Sequence, residues 1–311
     1  MLIFIKIDII KRTCNTYKID SRYQYFLLIC IFCIGACSPS YKFSYELTNE
    51  PIYNGSYIQN TTGSVSQPTF KIVTFNIEFA ENIQGALELL SSHSLKDCDV
   101  LLLQEMDEKG VINIAESLSL SYVYYPAIYH PKHQRNVGNA ILSKWPISNS
   151  QKLITGFTSS YPVLFEGKNY KFNKTATVAQ IALNNNLVSF VTTHAPAVNT
   201  SATKKAFANT IASHADDLGQ HVIVTGDFNT FGAFEAEETA ACFHHNGFDW
   251  VSAYVGTTVS TVKPTLRTLP KTAFQLDHIF TKGFDLKNVT TIHQEGVSDH
   301  LPLVAEVSFS E

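Results

Sequence analysis

Short apolar runs that stop at a polar side chain recur along this chain. The clearest spans residues 221–230: the β-branched Val222, Ile223 and Val224 read as a buried strand, Gly226 permits a sharp turn, and Asp227 and Asn229 follow two apart. On an extended backbone that spacing sends both side chains to one side. Phe70 to Phe75 is apolar on both faces and ends at Asn76. Asp99 to Leu103 ends at Gln104 and Glu105, and residues 187–193 end at His194. Ile83, Ala86, Leu87 and Leu90 fall at helical spacing, as do Val111, Ile114, Ala115 and Leu118. Helices are also predicted over 201–218, with Phe207, Ile211 and Leu218 inward, and over 232–242, with Thr230 as N-cap.

Further strands are predicted over 121–129, 138–147, 174–183, 273–281 and 303–309. Asn184, Asn185 and Asn186 supply the turn between 174–183 and the run ending at His194. Residues 151–173 read as a meander with an exposed loop around Glu166–Lys168. Residues 249–272 read as mostly loop, with Lys263 and Arg267 available to anions. Strands and helices alternate in the first third, so α/β layering is expected. There is no internal repeat or low-complexity tract.

The first 37 residues follow a different pattern. Lys6, Lys11, Arg12, Lys18 and Arg22 form a basic flank, and Tyr25 to Ala36 is apolar. That is the layout of a secretory signal with a long basic region. The apolar run is shorter than the ~20 residues of a spanning helix, which makes an uncleaved anchor the lesser alternative, beside cleavage without lipid. The run ends Ile34-Gly35-Ala36-Cys37, which resembles the lipobox of bacterial lipoproteins. The resemblance implies lipidation of Cys37 and export, with anchoring to the bacterial outer membrane or cell surface. Residues 38–68 are polar and read as a flexible tether, with Tyr41, Phe43 and Tyr45 alternating as in a short edge strand. Residues 69–311 form the expected catalytic domain.

Charge narrows the partners. The chain carries 23 basic and 27 acidic residues. Residues 1–37 hold five of the former and two of the latter, so the remainder has a net charge of −7. An acidic body is poorly suited to long-range steering of nucleic acid, although a bound metal reverses the local field. Beyond Cys37 two cysteines remain, Cys98 and Cys242, which are open to a disulfide in an exported protein or to burial as small hydrophobes.

The polar strand ends suggest phosphoester chemistry. A hard divalent cation takes oxygen ligands, and Glu105 is the best candidate, with the Asn76 carbonyl oxygen beside it and Asp299 completing the set directly or through water. Asp227 is suited to orient or deprotonate a water, and Asn229 to donate to a phosphate oxygen. His300, held by Asp277, would be a second donor, and His194 a third donor or the acid to the leaving oxygen. Arg135 has the planar fork that matches phosphate, and Asn139 is grouped with it. His278 beside Asp277 is expected to be structural, and His130 and His133 to be exposed loop histidines, with contact to substrate as the lesser alternative.

Taken together, TFNIE (74–78), LLLQE (101–105), GNAILSKWPI (138–147), TTHAP (192–196), TGDFNT (225–230), LDHIF (276–280) and SDH (298–300) resemble the endonuclease/exonuclease/phosphatase superfamily, over roughly residues 69–309. The resemblance implies a DNase I-like four-layer α/β sandwich, two packed mixed sheets flanked by helices. It also implies phosphodiester or phosphomonoester hydrolysis with Mg²⁺, or Mn²⁺. By that pattern Asn76 and Glu105 take the metal positions, Asp227 and Asn229 the water and phosphate positions, Asp277 pairs with His300, and Asp299 supports the metal. His194 matches the DNase I-like and sphingomyelinase-like branches. Lys204, Lys205 and Asn209 stand where the pattern has an Arg and a Gln, and the Tyr of the exonuclease III-like branch is missing before Gly138, which weakens a DNA-repair role. The leading expectation is an exported, monomeric nuclease without an obligate protein partner. The alternatives are a phospholipid-headgroup phosphodiesterase, with Phe157, Tyr161, Val163, Leu164 and Phe165 as an apolar entry loop, a small-molecule phosphatase, or a non-enzymatic binding module.

Overall fold

The computed structural model describes residues 40–42, 44–48, 50–59, 69–92, 94–131, 133–165, 168–197, 199–260 and 274–311. Cys37 and the whole predicted leader lie outside them, as do part of the tether, Lys263 and Arg267. The chain divides into two compact units, Met1–Tyr41 with Pro162–Tyr170, and Lys42–Tyr161 with Lys171–Glu311. The motifs from Thr74 to His300 all lie in the second.

The strands are β1 (Ser40–Lys42), β2 (Tyr53–Ser56), β3 (Phe70–Asn76), β4 (Val100–Met106), β5 (Ser121–His130), β6 (Arg135–Ser143), β7 (Ile147–Phe165), β8 (Lys168–Leu183), β9 (Asn186–His194), β10 (Val222–Asp227), β11 (Asp249–Trp250), β12 (Asp277–Lys282), β13 (Phe284–Thr291) and β14 (Leu303–Phe309). The helices are α1 (Ile83–Leu90), α2 (Glu108–Ser117), α3 (Ser201–Asp216) and α4 (Ala233–His245), with a short 3₁₀ turn at Glu78–Ala80. One sheet runs β13-β14-β3-β4-β6-β5-β2. The other contains β8-β9-β10-β12-β11, with β7 on β8. Each sheet has one parallel pair at its centre, β3 with β4 and β9 with β10, flanked by antiparallel neighbours.

Alternation within the central strands builds the layers. In β3, Phe70 and Ile72 enter the core between the sheets, while Val73 and Phe75 face α1 and α2. In β4, Val100 and Leu102 face inward and Leu101 and Leu103 face the helices. In β10, Ile223 joins the inter-sheet core, while Val222 and Val224 meet Phe207 and Ile211 of α3 and Phe243 of α4. Both faces of each sheet are therefore covered, and strands apolar on both sides are what the stacking needs. The result is the expected four-layer α/β sandwich of two mixed sheets.

Several expectations are adjusted. Tyr53–Ser56, inside the presumed tether, pairs with β5 and adds an edge strand. β13 did not stand out as a strand because residues 285–290 alternate poorly; it is a mostly solvent-facing edge on β14 with a bulge between Leu286 and Asn288. β12 begins at Asp277 rather than 273. Phe157 packs edge-on against Phe207 of α3, so it is part of the fold rather than of an exposed loop; the side chains of 161–165 lie outside the described residues. Cys98 and Cys242 are free, buried thiols in the outer cores of different sheets, which removes the disulfide alternative.

Candidate functional site

The parallel pairs β3/β4 and β9/β10 end at one edge of the sandwich, and their last residues supply the polar cluster. Asn76 closes β3, Glu105 lies near the end of β4, His194 closes β9 and Asp227 closes β10. β12 runs antiparallel to β10 and begins with Asp277 opposite Asp227. β14 starts with Leu303 opposite Thr74, which brings the preceding His300 to the same edge.

Local backbone geometry aims these groups. Gly226 has φ +146°, and a Cβ there would lie 2.0 Å from the Thr193 carbonyl oxygen, so only glycine lets β10 approach β9 so closely. Glu105 sits at φ 57° in a bulge between Leu103 and Met106. Glu78, Phe79 and Ala80 also have positive φ. Such conformations cost an L-residue about 1–2 kcal/mol each, and strain of this kind concentrates at functional sites. Here its effect is specific: the turn presents the Phe79 N–H to Glu105 Oε2 at 3.0 Å and the Glu78 N–H to Asn76 Oδ1 at 3.1 Å.

Asp227 lies at the centre. Asn76 Nδ2 donates to its Oδ2 at 3.1 Å, and the Asn229 N–H donates to its Oδ1 at 2.8 Å. The same Oδ2 lies 3.6 Å from His194 Nε2 and 3.6 Å from His300 Nε2. His194 Nδ1 in turn is 3.5 Å from Glu105 Oε1. His300 Nδ1 and Asp277 Oδ2 are 2.8 Å apart, as expected of a held donor. The simple reading of Asp227 and Asn229 as two side chains on one extended face does not hold. Asn229 has φ 53° and folds back, its amide donating to the Ala195 carbonyl, because the Asp227 carboxylate caps its N–H in a tight turn.

The loop before β14 is pinned as well. Ser298 Oγ donates to the Asn76 carbonyl and accepts from the His300 N–H. The Asp299 N–H donates to Glu78 Oε2, and its half-buried carboxylate lies 3.9 Å from His300 Nε2. Gln104 donates to Thr74 and Thr192, tying the two sheets together beneath the site. His278 is structural, as expected: it joins the Thr230 hydroxyl and the Trp250 N–H, and burial depresses its pKa to about 3. Thr230 is thereby used up, so α4 is capped by Gly232 and not by Thr230.

Electrostatics divides the cluster. Burial pushes Glu105 up to about 7, helped by Asp227 and Asp299 and opposed by His300 and Lys174. Burial also raises Asp227 to about 6 against the pull of His300. Burial, Lys174 and His300 hold His194 well below the usual imidazole range, so it is neutral. For His300, burial is overcome by Asp277, Asp227 and Asp299, which hold it well above that range and keep it cationic.

Two predicted residues make their hydrogen bonds outside the cluster. Arg135 reaches Asp107, the N-cap of α2, and the Ala80 carbonyl, both at 3.3 Å. Asn139 donates to the Thr175 carbonyl and lines a cleft beside Glu105 and His194. Two lysines were missed. Lys174 in β8 interacts electrostatically with Glu105 and Asp227, and burial lowers it to about 8. Its only signal was a cation two positions ahead of Ala176 and Val178 in an apolar run. Lys204 in α3, buried, donates to the Asn229 carbonyl at 2.7 Å and to Glu235 at 2.8 Å; in the sequence it stood out only as a departure from a family pattern.

A hard cation fits the donor set. Glu105, Asn76, Asp299 and Asp227 offer oxygen ligands, and burial makes two of these carboxylates resist ionisation, a cost that a bound cation would offset. Among the described residues no three His, Cys, Asp or Glu side chains form a ready ligand group, so waters and substrate oxygens would complete the shell.

Residues 73–300 match the Endonuclease/Exonuclease/phosphatase family. No curated protein matches the chain. Among solved structures, an endonuclease/exonuclease/phosphatase from Beutenbergia cavernae superposes with TM-score 0.60 at 15% identity, covering 78% of this chain and 72% of that one. The human nocturnin catalytic domain with bound sulfate gives 0.59 at 17% identity, covering 78% and 96%. Danio rerio TDP2 complexed with single-stranded DNA product gives 0.58 at 14% identity, covering 78% and 100%. At these identities the likeness establishes the fold.

Proposed function

Since the chain belongs to the endonuclease/exonuclease/phosphatase family, a family of phosphoesterases and nucleases that typically depend on a divalent metal, we propose that it is an Mg²⁺- or Mn²⁺-dependent phosphodiester hydrolase acting on nucleic acid. The observation that carries this reading is the placement of Asp227, whose one carboxylate oxygen faces a neutral His194, a cationic His300 and the Asn76 amide within 3.6 Å. A carboxylate near pKa 6 is a suitable base at neutral pH.

The chemistry follows from those positions. Asp227 takes a proton from a water as its oxygen bonds to phosphorus. Cationic His300, held by Asp277, donates to phosphoryl oxygens as negative charge gathers there, as does the Asn229 amide through the hydrogen not given to the Ala195 carbonyl. Lys174 adds positive charge from the β8 side. The proton that Asp227 takes from the water passes to the departing oxygen by way of His194, whose Nε2 lies 3.6 Å from the same carboxylate, which leaves both groups as they began. A cation bound by Glu105 and Asn76, with Asp299 in support, would neutralise a phosphoryl oxygen and orient the ester. TDP2, which shares the fold, is known with a DNA product, and this favours nucleic acid over a phospholipid headgroup.

We further propose that the protein is exported as a monomer and held to the bacterial outer membrane or cell surface by lipid on Cys37. The basic flank, the short apolar run and Ile34-Gly35-Ala36-Cys37 support this. Metabolic labelling with palmitate should mark the wild type and not Cys37→Ser; equal labelling would refute it. For the activity, purified protein should nick plasmid DNA with Mg²⁺ and not with EDTA. Phosphocholine release from sphingomyelin liposomes with intact plasmid would overturn the nuclease reading in favour of the lipid-cleaving one.

A further inference from the structure

The polar segment after Cys37 has the composition of a free tether, yet it joins the catalytic unit early and at one particular place. Ser44 forms an antiparallel bridge with Ile128 near the end of β5, and its Oγ accepts the Asn173 N–H at 2.7 Å. The Tyr45 N–H donates to the Ala127 carbonyl at 2.9 Å, and the Tyr45 hydroxyl donates to Asn136 Oδ1 at 2.8 Å. Further on, the Glu50 carbonyl accepts from the buried Lys152 ammonium at 2.7 Å. β2 then pairs with β5 from Tyr124 back to Ser121, and the Tyr57 N–H reaches the Leu120 carbonyl at 3.0 Å. The chain is thus a strap that runs backwards along β5, and its leading end lies at the catalytic edge. Ala127, Ile128 and Asn173 line the same cleft as Glu105, His194 and Lys174.

Reach then limits how the catalytic unit can sit on a membrane. Cys37 precedes Ser44 by seven residues, which span at most about 25 Å when fully extended. The opposite edge, where Tyr57 meets Leu120, is eight residues back along the chain from Ile128, about 27 Å away at the rise of a strand. With Cys37 in the bilayer interface, the unit cannot stand on that far edge. Exposed rings select the near one. Tyr129 follows Ile128 and is exposed, and past the end of β10 so are Phe231 and Phe234, the last 67% exposed. Apolar rings gathered at one rim mark a contact surface, and bilayer interfaces favour them. We propose that the rim of the active-site cleft carrying Tyr129, Phe231 and Phe234 is a membrane-facing surface, held against the bilayer by the short lead from Cys37 and the docked strap. This rests on the anchored reading of Cys37 and is independent of the reaction catalysed. A phosphodiester then reaches Glu105 and His194 along the membrane surface rather than from bulk solution.

The test reads orientation directly. The full chain, purified from bacterial membranes, is reconstituted into vesicles of phosphatidylethanolamine and phosphatidylglycerol with one added cysteine at a time: Phe234→Cys, Tyr129→Cys or Leu187→Cys. Leu187 is also exposed, but it lies at the start of β9, on the edge that reach excludes. All three sites are on the surface, so the substitutions spare the core, and a fluorophore goes to them because Cys98 and Cys242 are buried. The label at 234 and at 129 should shift to the blue and lose its fluorescence to nitroxide-bearing lipid, and the label at 187 should do neither. Loss at all three sites, at 187 alone, or at none, in a chain that floats with the vesicles, would overturn the orientation. If the wild type fails to float, or Cys37→Ser floats equally well, the anchored reading falls and the orientation with it. No turnover is needed, so failure of the phosphodiesterase reading would leave these outcomes unchanged.

Discussion

The two ends of the polar cluster are built differently. At the β12–β14 end Asp277 and His300 meet at 2.8 Å in an ion pair through Oδ2, while Asp277 Oδ1 is buried without a hydrogen-bond partner among the described residues. Ser298 and Thr258 hold the backbone on either side through the His300, Leu276 and Asp277 N–H groups. At the β3–β4 end Glu105 is held by a strained backbone, accepts a single N–H from Phe79, and has burial and two other carboxylates working against its charge. Asp227 stands between, leaning on His300 at one side and facing neutral His194 at the other. The His300 end supplies the fixed positive charge, and at the other end Glu105, raised to about 7, ionises more readily once a cation arrives. Shared carboxylates without a cation are costly in low dielectric, so this asymmetry is what a site for a hard metal and a phosphate requires.

The sharpest way to break the comparison is to remove a carboxylate from the middle or from the open end. Asp227→Asn should lower kcat by at least about 10³-fold, and Glu105→Gln by about 10²–10³-fold, read as plasmid nicking or diester hydrolysis in Mg²⁺. Retention of activity within tenfold in Glu105→Gln would mean that the open end takes no part in the reaction. The binding half of the claim is tested by thermal unfolding. Mg²⁺ or Mn²⁺ at about 100 times its dissociation constant should stabilise the wild type by about 2.7 kcal/mol and Glu105→Gln much less. An equal shift in both would place the cation elsewhere.

The pH dependence of stability sharpens the same contrast without any turnover. Glu105 rises from 4.5 to about 7 on folding and Asp227 from 3.8 to about 6, so between those values the native state holds protons that the unfolded chain has released. In EDTA these two carboxylates therefore contribute a fall in stability as pH rises from about 4 to 7. His300, raised well above 6.5, acts in the same direction: its contribution is full below 6.5 and is lost as pH climbs through its folded value. His194 and His278, both depressed by burial, act oppositely as pH rises toward 6.5, so the Glu105 share is read as the difference between the wild-type and Glu105→Gln profiles. Glu105→Gln should flatten the fall between about 4.5 and 7 and leave the decline at higher pH in place. An unchanged profile would show that Glu105 ionises as freely as it would in water.

Much of this arrangement was legible in the chain because its causes are local and periodic. Apolar runs apolar on both faces can only be central strands of a doubly covered sheet, and each run announced its active end by the polar residue that stopped it, as with Asn76, Glu105, His194 and Asp227. β13 escaped because a solvent-facing edge strand needs no alternation. Asn229 was misread because extended geometry was assumed where a carboxylate caps the next turn. Thr230 has the composition of an N-cap, yet its hydroxyl is taken by His278 and the Gln275 carbonyl from a strand far along the chain. Arg135 fits phosphate by shape, but the fold sets it 3.3 Å from Asp107. Lys174 and Lys204 were missed for one reason: a lysine's role depends on which carboxylate or carbonyl the tertiary structure places at its tip, and no spacing rule records that.

Lys204 provides the smallest and most discriminating test, because it supports the turn after Asp227 from outside the reacting groups. Its ammonium is buried between the Asn229 carbonyl and Glu235, 4.6 Å from the Phe231 ring centroid, while Glu235 also receives the Phe231 N–H and the Ser201 hydroxyl. The lysine thus clamps the left-handed turn that carries Asn229 to the start of α4. Lys204→Met keeps the stem's volume and deletes the clamp. The expected result is a fall in kcat of about tenfold with KM little changed, since the loss is of orientation in the transition state rather than of substrate binding. Lys204→Arg, which restores the charge with a different reach, should recover part of it. If Lys204→Met instead lowers thermal stability while leaving kcat intact, the clamp serves the fold alone, and the Asn229 turn is held well enough by the Asp227 carboxylate and the Ala195 carbonyl.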